Sequence, residues 1–338
     1  MKTSPISSIP TRKNKILLLL LGLMVLSGVM SVCLGAVSVA PGDILSVLLG
    51  NQRGTPPSQI ILYSRLPRTC GCLLAGSALA VSGAVIQNVL HNPLAAPNVI
   101  GVNSGAGLAV ALCSAIAPSA VWAVPAAAFC GALAGCLLVF FVSKATGASR
   151  MTLVLAGIAL SGMFGAGIDA VIKLVPDALN GYSDFRIGGF SNLSMARIAP
   201  AFWVILIALL AVFALAGEMD VLALGEETAR SLGLSTQRVR LVLLGCAAAL
   251  AGGAVSFAGL VGFVGLIVPH AMRRLAGGEG AAFLAACALG GGALVTFCDI
   301  GARLLFAPYD LPVGIVLSLL GGGFFLWLLV RQKGGHRG

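Results

Sequence analysis

Long apolar runs separated by short polar turns dominate the chain, and this pattern predicts membrane-spanning helices. No Asp, Glu, Lys or Arg occurs from residue 69 to residue 143, whereas the surface of a soluble domain carries many ionised side chains. A helix of about 20 mostly apolar residues spans a bilayer. The runs therefore predict ten spans, of which the eighth is short: 16–38, 66–88, 99–117, 119–143, 152–175, 198–217, 240–260, 262–275, 281–305 and 311–330.

Composition strengthens this prediction. Apolar residues make up 58% of the 338 residues and charged residues 9%, against about 25% charged in soluble domains. These values exclude an ordinary soluble enzyme, a disordered chain and a secreted disulfide scaffold. The nine cysteines lie in or beside the apolar runs without a CxxC pair, so we interpret them as packing residues. We expect an all-α, polytopic membrane protein that forms one transmembrane domain over residues 1–338, with no metal and no cofactor.

The distribution of basic residues predicts the orientation. With the N-terminus in the cytoplasm, twice as many Lys and Arg residues fall on the cytoplasmic side as outside, as the positive-inside rule requires. Residues 1–15 and 331–338 are then cytoplasmic. Residues 16–38 resemble the apolar core of a signal peptide, but the run is long, so we predict an uncleaved first span. The net charge of +10 fits cytoplasmic loops beside anionic lipid, and nothing indicates nucleic-acid binding.

Residues 218–238 are too ordered for a plain loop. Apolar and charged residues alternate at helical spacing, Gly233 offers a left-handed helix end, and Ser235 offers an N-cap for the next helix. The segment predicts two short helices at the cytoplasmic membrane surface. It is either a solvated amphipathic loop or a docking surface for a soluble partner.

Other segments interrupt the helical pattern. Pro93 and Pro97 prevent a continuous helix after His91, and glycines precede Pro269 in the eighth span. The outside segment 175–199 is long enough to contain a short helix. The GxxxG pairs Gly101/Gly105 and Gly131/Gly135 predict faces where helices approach closely.

The chain lacks the signals of an energy-converting enzyme. No lysine follows a glycine as a phosphate-binding P-loop requires, and neither HExxH nor GxSxG occurs. Ionisable residues at predicted mid-membrane positions, which ion-coupled carriers use as relays, are scarce. Asp299 and Arg303, four residues apart near the outside end of a span, are interpreted as a structural pair. Energy for active transport would come from another subunit.

An ordered set of motifs resembles the FecCD-type permease family, the membrane subunits of type II ABC importers for iron–siderophore, haem and vitamin B12. The similarity runs from about residue 40 to residue 330. The motifs are Arg65-Leu-Pro-Arg68, His91-Asn-Pro-Leu-Ala95, Leu155-Ala-Gly-Ile-Ala-Leu160, 224–233, 262–270 and Leu311-Pro-Val-Gly314.

The resemblance implies the type II importer fold with ten spans, two cytoplasmic ATP-binding subunits, an extracytoplasmic substrate-binding protein, and a second permease copy or a close paralogue. It also implies residue roles. The ATPase-coupling residues are Ala223, Leu224, Gly225, Glu226, Glu227, Arg230, Leu232 and Gly233. The residues that dock the binding protein are Arg65, Arg68 and Arg303. The cytoplasmic gate residues are Asn92, Pro93, Leu94, Ser149 and Thr152.

We therefore expect a transport subunit without its own ATPase, located in the cell membrane, that moves a ferric siderophore-type chelate inward by alternating access. Haem and cobalamin are alternative cargoes. An ion-coupled secondary carrier is the alternative from another functional class.

Overall fold

The computed structural model describes residues 9–35, 39–48, 55–146, 150–307 and 309–334, and every regular element in these ranges is helical. Parts of the predicted cytoplasmic ends, 1–8 and 335–338, and the predicted gate residue Ser149 lie outside them. The helices are α1 (Ile9–Cys33), α2 (Pro41–Leu48), α3 (Pro56–Ile60), α4 (Leu66–Leu90), α5 (Val102–Ile116), α6 (Val124–Ala145), α7 (Arg150–Leu174), α8 (Ala178–Ile187), α9 (Met195–Ala214), α10 (Ala216–Ala223), α11 (Glu226–Ser231), α12 (Thr236–Ala258), α13 (Val264–Ala276), α14 (Gly280–Leu305) and α15 (Val313–Gly334).

Each of the ten predicted spans coincides with one of these helices, in order. In the described part of the chain, seven helical stretches are long and apolar enough to cross a membrane. One of them is the continuous stretch Pro56–Leu90, in which the π-helical turn Ile61–Arg65 joins α3 to α4. The other three predicted spans correspond to α5 and α13, with 15 and 13 residues, and to α15, whose apolar part Val313–Trp327 is also short.

Helix α4 lies at the centre of the bundle and packs against α12, α13 and α14. Most of its side chains from Ala75 to Leu90 are buried. Small residues make this contact possible: a Cβ atom added at Gly83 would meet the backbone of Gly265 in α13. When helix backbones approach this closely, dispersion contacts between backbone atoms hold the helices together in place of large interdigitating side chains.

Helices α5 and α6 form a second tightly packed pair. A Cβ atom at Gly105 would meet the Gly131 carbonyl oxygen and would lie 2.9 Å from the Gly135 Cα atom. The GxxxG pattern therefore marks a real helix–helix face, as predicted.

The two ends of the bundle differ. At the end that the charge pattern assigns to the cytoplasm, called the inner end, lie the short helices α10 and α11 and the beginnings of α7, α12 and α14. At the opposite, outer end lie α8 and the beginning of α4. The predicted short helix in 175–199 is confirmed by α8, and the two short helices in 218–238 are confirmed by α10 and α11.

Candidate functional site

Residues 216–233, called the α10–α11 segment, form a helical pair at the inner end. In α10, Ala216, Met219 and Leu222 recur every third residue and are all buried. Gly225 and Gly233 have φ angles of 110° and 84°, in the region where a side chain would be strained. These glycines therefore fix where α11 begins and where the chain turns into α12.

Glu226 connects the α10–α11 segment to the bundle. Its Oε1 atom accepts a hydrogen bond from Arg230 at 2.7 Å, and its Oε2 atom accepts one from Arg240 of α12 at 3.0 Å. The Arg240 side chain is 7% exposed, whereas that of Arg230 is 60% exposed. Because burial reduces screening by water, the Glu226–Arg240 bond is the stronger anchor of the two. Sequence reasoning missed Arg240, which lies 14 residues away with no spacing signal.

Two further hydrogen bonds connect the segment to other elements. The Oδ1 atom of Asp220 accepts the backbone N–H of Gly280, the first residue of α14, at 3.0 Å. His91 Nε2 donates to the carbonyl oxygen of Ala223 at 3.2 Å. A displacement of α10 and α11 would therefore break these hydrogen bonds or move α14 and the residues that follow α4.

The opposite side of the α10–α11 segment faces away from the bundle. The side chains of Leu224 and Leu232 are each 63% exposed, and Glu227 is also exposed. Two exposed leucines on either side of a charged helix at the membrane surface form a compact surface that a soluble protein could cover.

Residues 91–101, called the proline segment, begin where His91 ends α4 in a left-handed conformation with a φ angle of 49°. The side chain of Asn92 accepts the backbone N–H of Leu94 at 2.9 Å, which closes a tight turn around Pro93. The structure thus brings the predicted gate residues Asn92, Pro93 and Leu94 into one turn beside the α10–α11 segment.

The proline segment also contacts α7. Its 3₁₀ turn, Pro97–Ile100, packs against Gly157, where an added Cβ atom would collide with the Val99 carbonyl oxygen. At the start of α7, Thr152 lies 3.1 Å from Ser143 of α6 through their hydroxyl oxygens. Thr152 is therefore at the same end of the bundle as the Asn92 turn.

An outer ionic cluster of Arg68, Asp299, Arg303 and Asp310 lies at the outer end. Arg68 Nε donates to both carboxylate oxygens of Asp299 at 3.1 and 3.0 Å, and its Nη2 atom donates to Asp299 Oδ1 at 2.9 Å. The same guanidinium donates to Asp310 at 2.6 and 2.9 Å. The forked arrangement of donors in arginine suits two carboxylates at once, so Arg68 joins α4 to α14 and to the α14–α15 turn.

The other two predicted docking arginines also point inward. Arg303 contacts Asp299 at 3.1 Å and donates to the Ser31 hydroxyl at 2.9 Å. Arg65 donates to the carbonyl oxygens of Val32 and Cys33 at 2.9 and 2.8 Å. The Asp299–Arg303 pair predicted from the sequence is therefore confirmed as a contact.

The sequence predicts that Arg65, Arg68 and Arg303 dock the binding protein on the outer side of the membrane; in the structure they lie at the outer end, where they are 4%, 8% and 7% exposed. The physical reason is that carboxylates and helix-end carbonyl groups of the chain itself accept their hydrogen bonds. Their docking role stays a prediction.

Asp310 stays ionised under ordinary conditions. Burial raises the pKa of its carboxyl group, but hydrogen bonds from Arg68 and Ser191 outweigh burial and hold the pKa below the usual value. A carboxyl group whose pKa is lowered on folding stabilises the protein above its unfolded pKa. The Arg68–Asp310 contribution is therefore complete above about pH 4 and is lost as the pH falls through the lowered pKa.

A cleft of about 700 Å³ opens at the outer end between the α5–α6 connection, α8 and the end of α12. Its walls include Asp177, Asp184 and Arg197, together with Asn180 and Asn192. This cleft gives the outer end a polar, concave surface beside the ionic cluster.

The model of the FecCD transport family matches residues 23–331. The chain belongs to the FecCD transport family. Among curated FecCD relatives, the Fe(3+)-citrate import system permease protein YfmE of Bacillus subtilis (strain 168) is 35% identical over 94% of this chain and 97% of its own length.

Two further FecCD relatives show the range of the family. The Fe(3+) dicitrate transport system permease protein FecC of Escherichia coli (strain K12) is 37% identical over 89% of this chain and 92% of its own. The hemin transport system permease protein HmuU of Yersinia pestis is 36% identical over 81% of this chain and 84% of its own.

Solved structures agree on the FecCD fold. A metal-chelate type ABC transporter in an inward-facing conformation superposes with a TM-score of 0.84 and 27% identity, over 94% of this chain and 99% of that one. PsaBC from Streptococcus pneumoniae, with a TM-score of 0.57 and 16% identity over 79% of this chain and 92% of that one, shares the fold alone. The protein is therefore a multi-pass, all-helical transport subunit of this family.

Proposed function

We propose that the chain is the permease subunit of an ATP-driven importer that carries a ferric siderophore-type chelate into the cytoplasm. Both termini face the cytoplasm, and two ATP-binding subunits bind at the inner end. An extracytoplasmic binding protein delivers cargo at the outer end. A second copy of the chain, or a close paralogue, completes the pathway.

One observation carries this proposal: the α10–α11 segment is hydrogen-bonded directly to the proline segment. The bond from His91 to the Ala223 carbonyl oxygen joins the surface that the ATP-binding subunits would move to the turn that would close the pathway. Membership of the FecCD transport family supports the same assignment.

The proposed mechanism is a change between two packings of rigid helices. Closure of the ATP-binding subunits displaces the α10–α11 segment, which stays connected to α12 through Glu226 and Arg240 and to α14 through Asp220. The Asn92 turn follows through His91. Residues 91–101 can adopt another arrangement because their prolines and turns leave them outside a continuous helix.

At the outer end, we assign docking of the binding protein to the rim of the outer cleft. Arg197 lines this cleft, and both Arg197 and Arg186 of the neighbouring α8 are exposed; a guanidinium group suits the carboxylates of a partner. For Arg65, Arg68 and Arg303, docking requires that the partner compete with the carboxylates and carbonyl groups that already accept their hydrogen bonds. Competition at Arg68 would release its bonds to Asp299 of α14, and Arg303 is itself part of α14.

The cargo assignment rests on the family. Ferric citrate and hemin appear in the names of the relatives described above, and both are metal chelates. Haem and cobalamin remain the alternative cargoes, since the binding protein selects the chelate.

Uptake into proteoliposomes tests the proposal. We expect accumulation of a radiolabelled ferric siderophore only when the permease, its ATP-binding subunits, its binding protein and enclosed ATP are all present. Unlabelled haem and cobalamin serve as competitors. A complex whose ATP-binding subunit cannot hydrolyse ATP is the control and should lose the signal. Uptake that persists in this control and follows an ion gradient would contradict the proposal and favour a secondary carrier.

A further inference from the structure

A cavity of about 260 Å³ lies at the inner end where α6, α7 and α12 meet. Three of the described residues that line it are basic: Lys144 at the end of α6, and Arg238 and Arg240 at the start of α12. No described residue in its wall is a carboxylate. An anion entering the cavity would therefore meet positive charge from two helices.

The protein fold adds further positive potential to this cavity. Helix α12 begins at Thr236, and the side chain of the preceding residue, Ser235, makes no capping hydrogen bond. The Ser235 side chain therefore does not occupy the first backbone N–H groups of the helix, which lie beside Gln237, another residue that lines the cavity. Helix N-termini of this kind favour anions.

Apolar side chains form the remainder of the wall. Phe140, Leu153 and Leu241 line the cavity next to the basic groups. The combination of a cationic rim with an apolar wall suits a molecule that has both an anionic head and a hydrocarbon tail, whereas a free phosphate ion would use only the rim.

The exposed surface that runs from the cavity along α6 and α12, away from the inner end, repeats this pattern. On α6, Phe141 and Leu137 occupy successive turns behind Lys144 and are 58% and 44% exposed. On α12, Leu241 and Val242 follow Arg238 by one turn and are 39% and 48% exposed. Residues three, four and seven apart share a helix face, so Lys144 and Arg238 each stand at the inner end of an exposed apolar stripe.

We propose that this cavity binds an anionic phospholipid of the cytoplasmic leaflet, with the phosphate group between Lys144 and Arg238 and an acyl chain along the stripes of α6 and α12. Basic pockets between membrane helices at the cytoplasmic surface bind such headgroups. Each basic side chain near an anionic surface contributes about fivefold to affinity.

A bound lipid would also affect the α10–α11 segment, and the importance of this effect for transport rests on the proposed function. Arg240 lies in the cavity wall and also donates to Glu226 of the α10–α11 segment. A bound phosphate would compete with Glu226 for the positive charge of the Arg240 guanidinium. The lipid would therefore weaken the bond that holds α11 against α12. Lipid binding itself involves the permease alone, which separates its test from that of transport.

Native mass spectrometry of the full-length permease in detergent tests the proposal, with cardiolipin and phosphatidylglycerol compared with phosphatidylcholine. The pocket variant is Lys144→Gln/Arg238→Gln, and the matched control is Lys15→Gln/Arg274→Gln, which removes the same charge from exposed inner-end positions. We expect anionic lipid to bind the wild type in preference to phosphatidylcholine. We expect about 30-fold weaker binding in the pocket variant and little change in the control.

Three outcomes would overturn the proposal. Equal losses in the two variants would show that only general charge attracts the lipid. Equal binding of phosphatidylcholine would remove the role of the anionic head. Displacement of the lipid by millimolar inorganic phosphate or ATP would show that the cavity recognises a free phosphate and that the apolar stripes do not contribute.

Discussion

Replacement of Asp299 by Asn is expected to destabilise the folded permease by about 3–5 kcal/mol, the cost of removing one partner from a buried ion pair. Asp299 is 0% exposed and contacts both Arg68 and Arg303. Its loss leaves the Arg68 guanidinium with the partly exposed Asp310 and the Arg303 guanidinium with the neutral oxygens of Ser31 and Leu34. The measurement is thermal unfolding of the detergent-purified protein, followed by circular dichroism.

Asp310→Asn is the matched control for this variant. The Asp310 side chain is 43% exposed, and Asp299 still neutralises Arg68 when Asp310 is gone. We expect a loss of about 1 kcal/mol, at the upper end of the range for exposed pairs. If Asp299→Asn unfolds at the same temperature as wild type, the outer ionic cluster does not stabilise the bundle.

Replacement of Leu224 and Leu232 together by Glu is expected to weaken association with the ATP-binding subunit at least 30-fold. Both side chains are 63% exposed beside α11, and the loss of one energetically important contact at the centre of an interface costs about 2 kcal/mol, which corresponds to about 30-fold in the dissociation constant. The fold should remain intact because neither side chain is buried. The measurement is the dissociation constant between purified permease and ATP-binding subunit, determined by surface plasmon resonance in detergent.

The control for the leucine variant is Leu275→Glu, which changes another exposed leucine near the inner end of α13. We expect wild-type affinity from this control. Equal affinity of the Leu224/Leu232 variant and wild type would remove the α10–α11 segment from the interface, even if the complex as a whole assembles.

The helices could be predicted from the sequence because hydrophobic periodicity and turn residues are local signals. The positions of α10, α11 and α8 followed from segments too polar or too long for simple turns. Gly233 adopts the left-handed conformation that its position in the sequence predicts. Ser235 occupies the predicted N-cap position, yet its side chain makes no capping hydrogen bond, since backbone position does not determine the side-chain partner.

The partners of charged residues could not be predicted in the same way. Arg68 and Asp310 are 242 residues apart in sequence, and their contact depends on how α4, α14 and the following turn pack. The count of basic residues predicts on which side of the membrane Arg68 and Arg303 lie, but it carries no information on their burial in the ionic cluster. The contact between His91 and Ala223 likewise brings together two segments that each carried a signal but no indication of their proximity.

The most direct test of the central claim is ATP hydrolysis by the reconstituted permease–ATPase complex, with and without the loaded binding protein. We predict that the binding protein stimulates hydrolysis and that Glu226→Arg/Glu227→Arg abolishes the stimulation, because the first change breaks the anchor to Arg240 and the second reverses charge on the exposed face. Two results would contradict the assignment of the α10–α11 segment as the coupling element. One is a rate of hydrolysis that is the same with and without the binding protein, and the other is equal stimulation in the variant and the wild type.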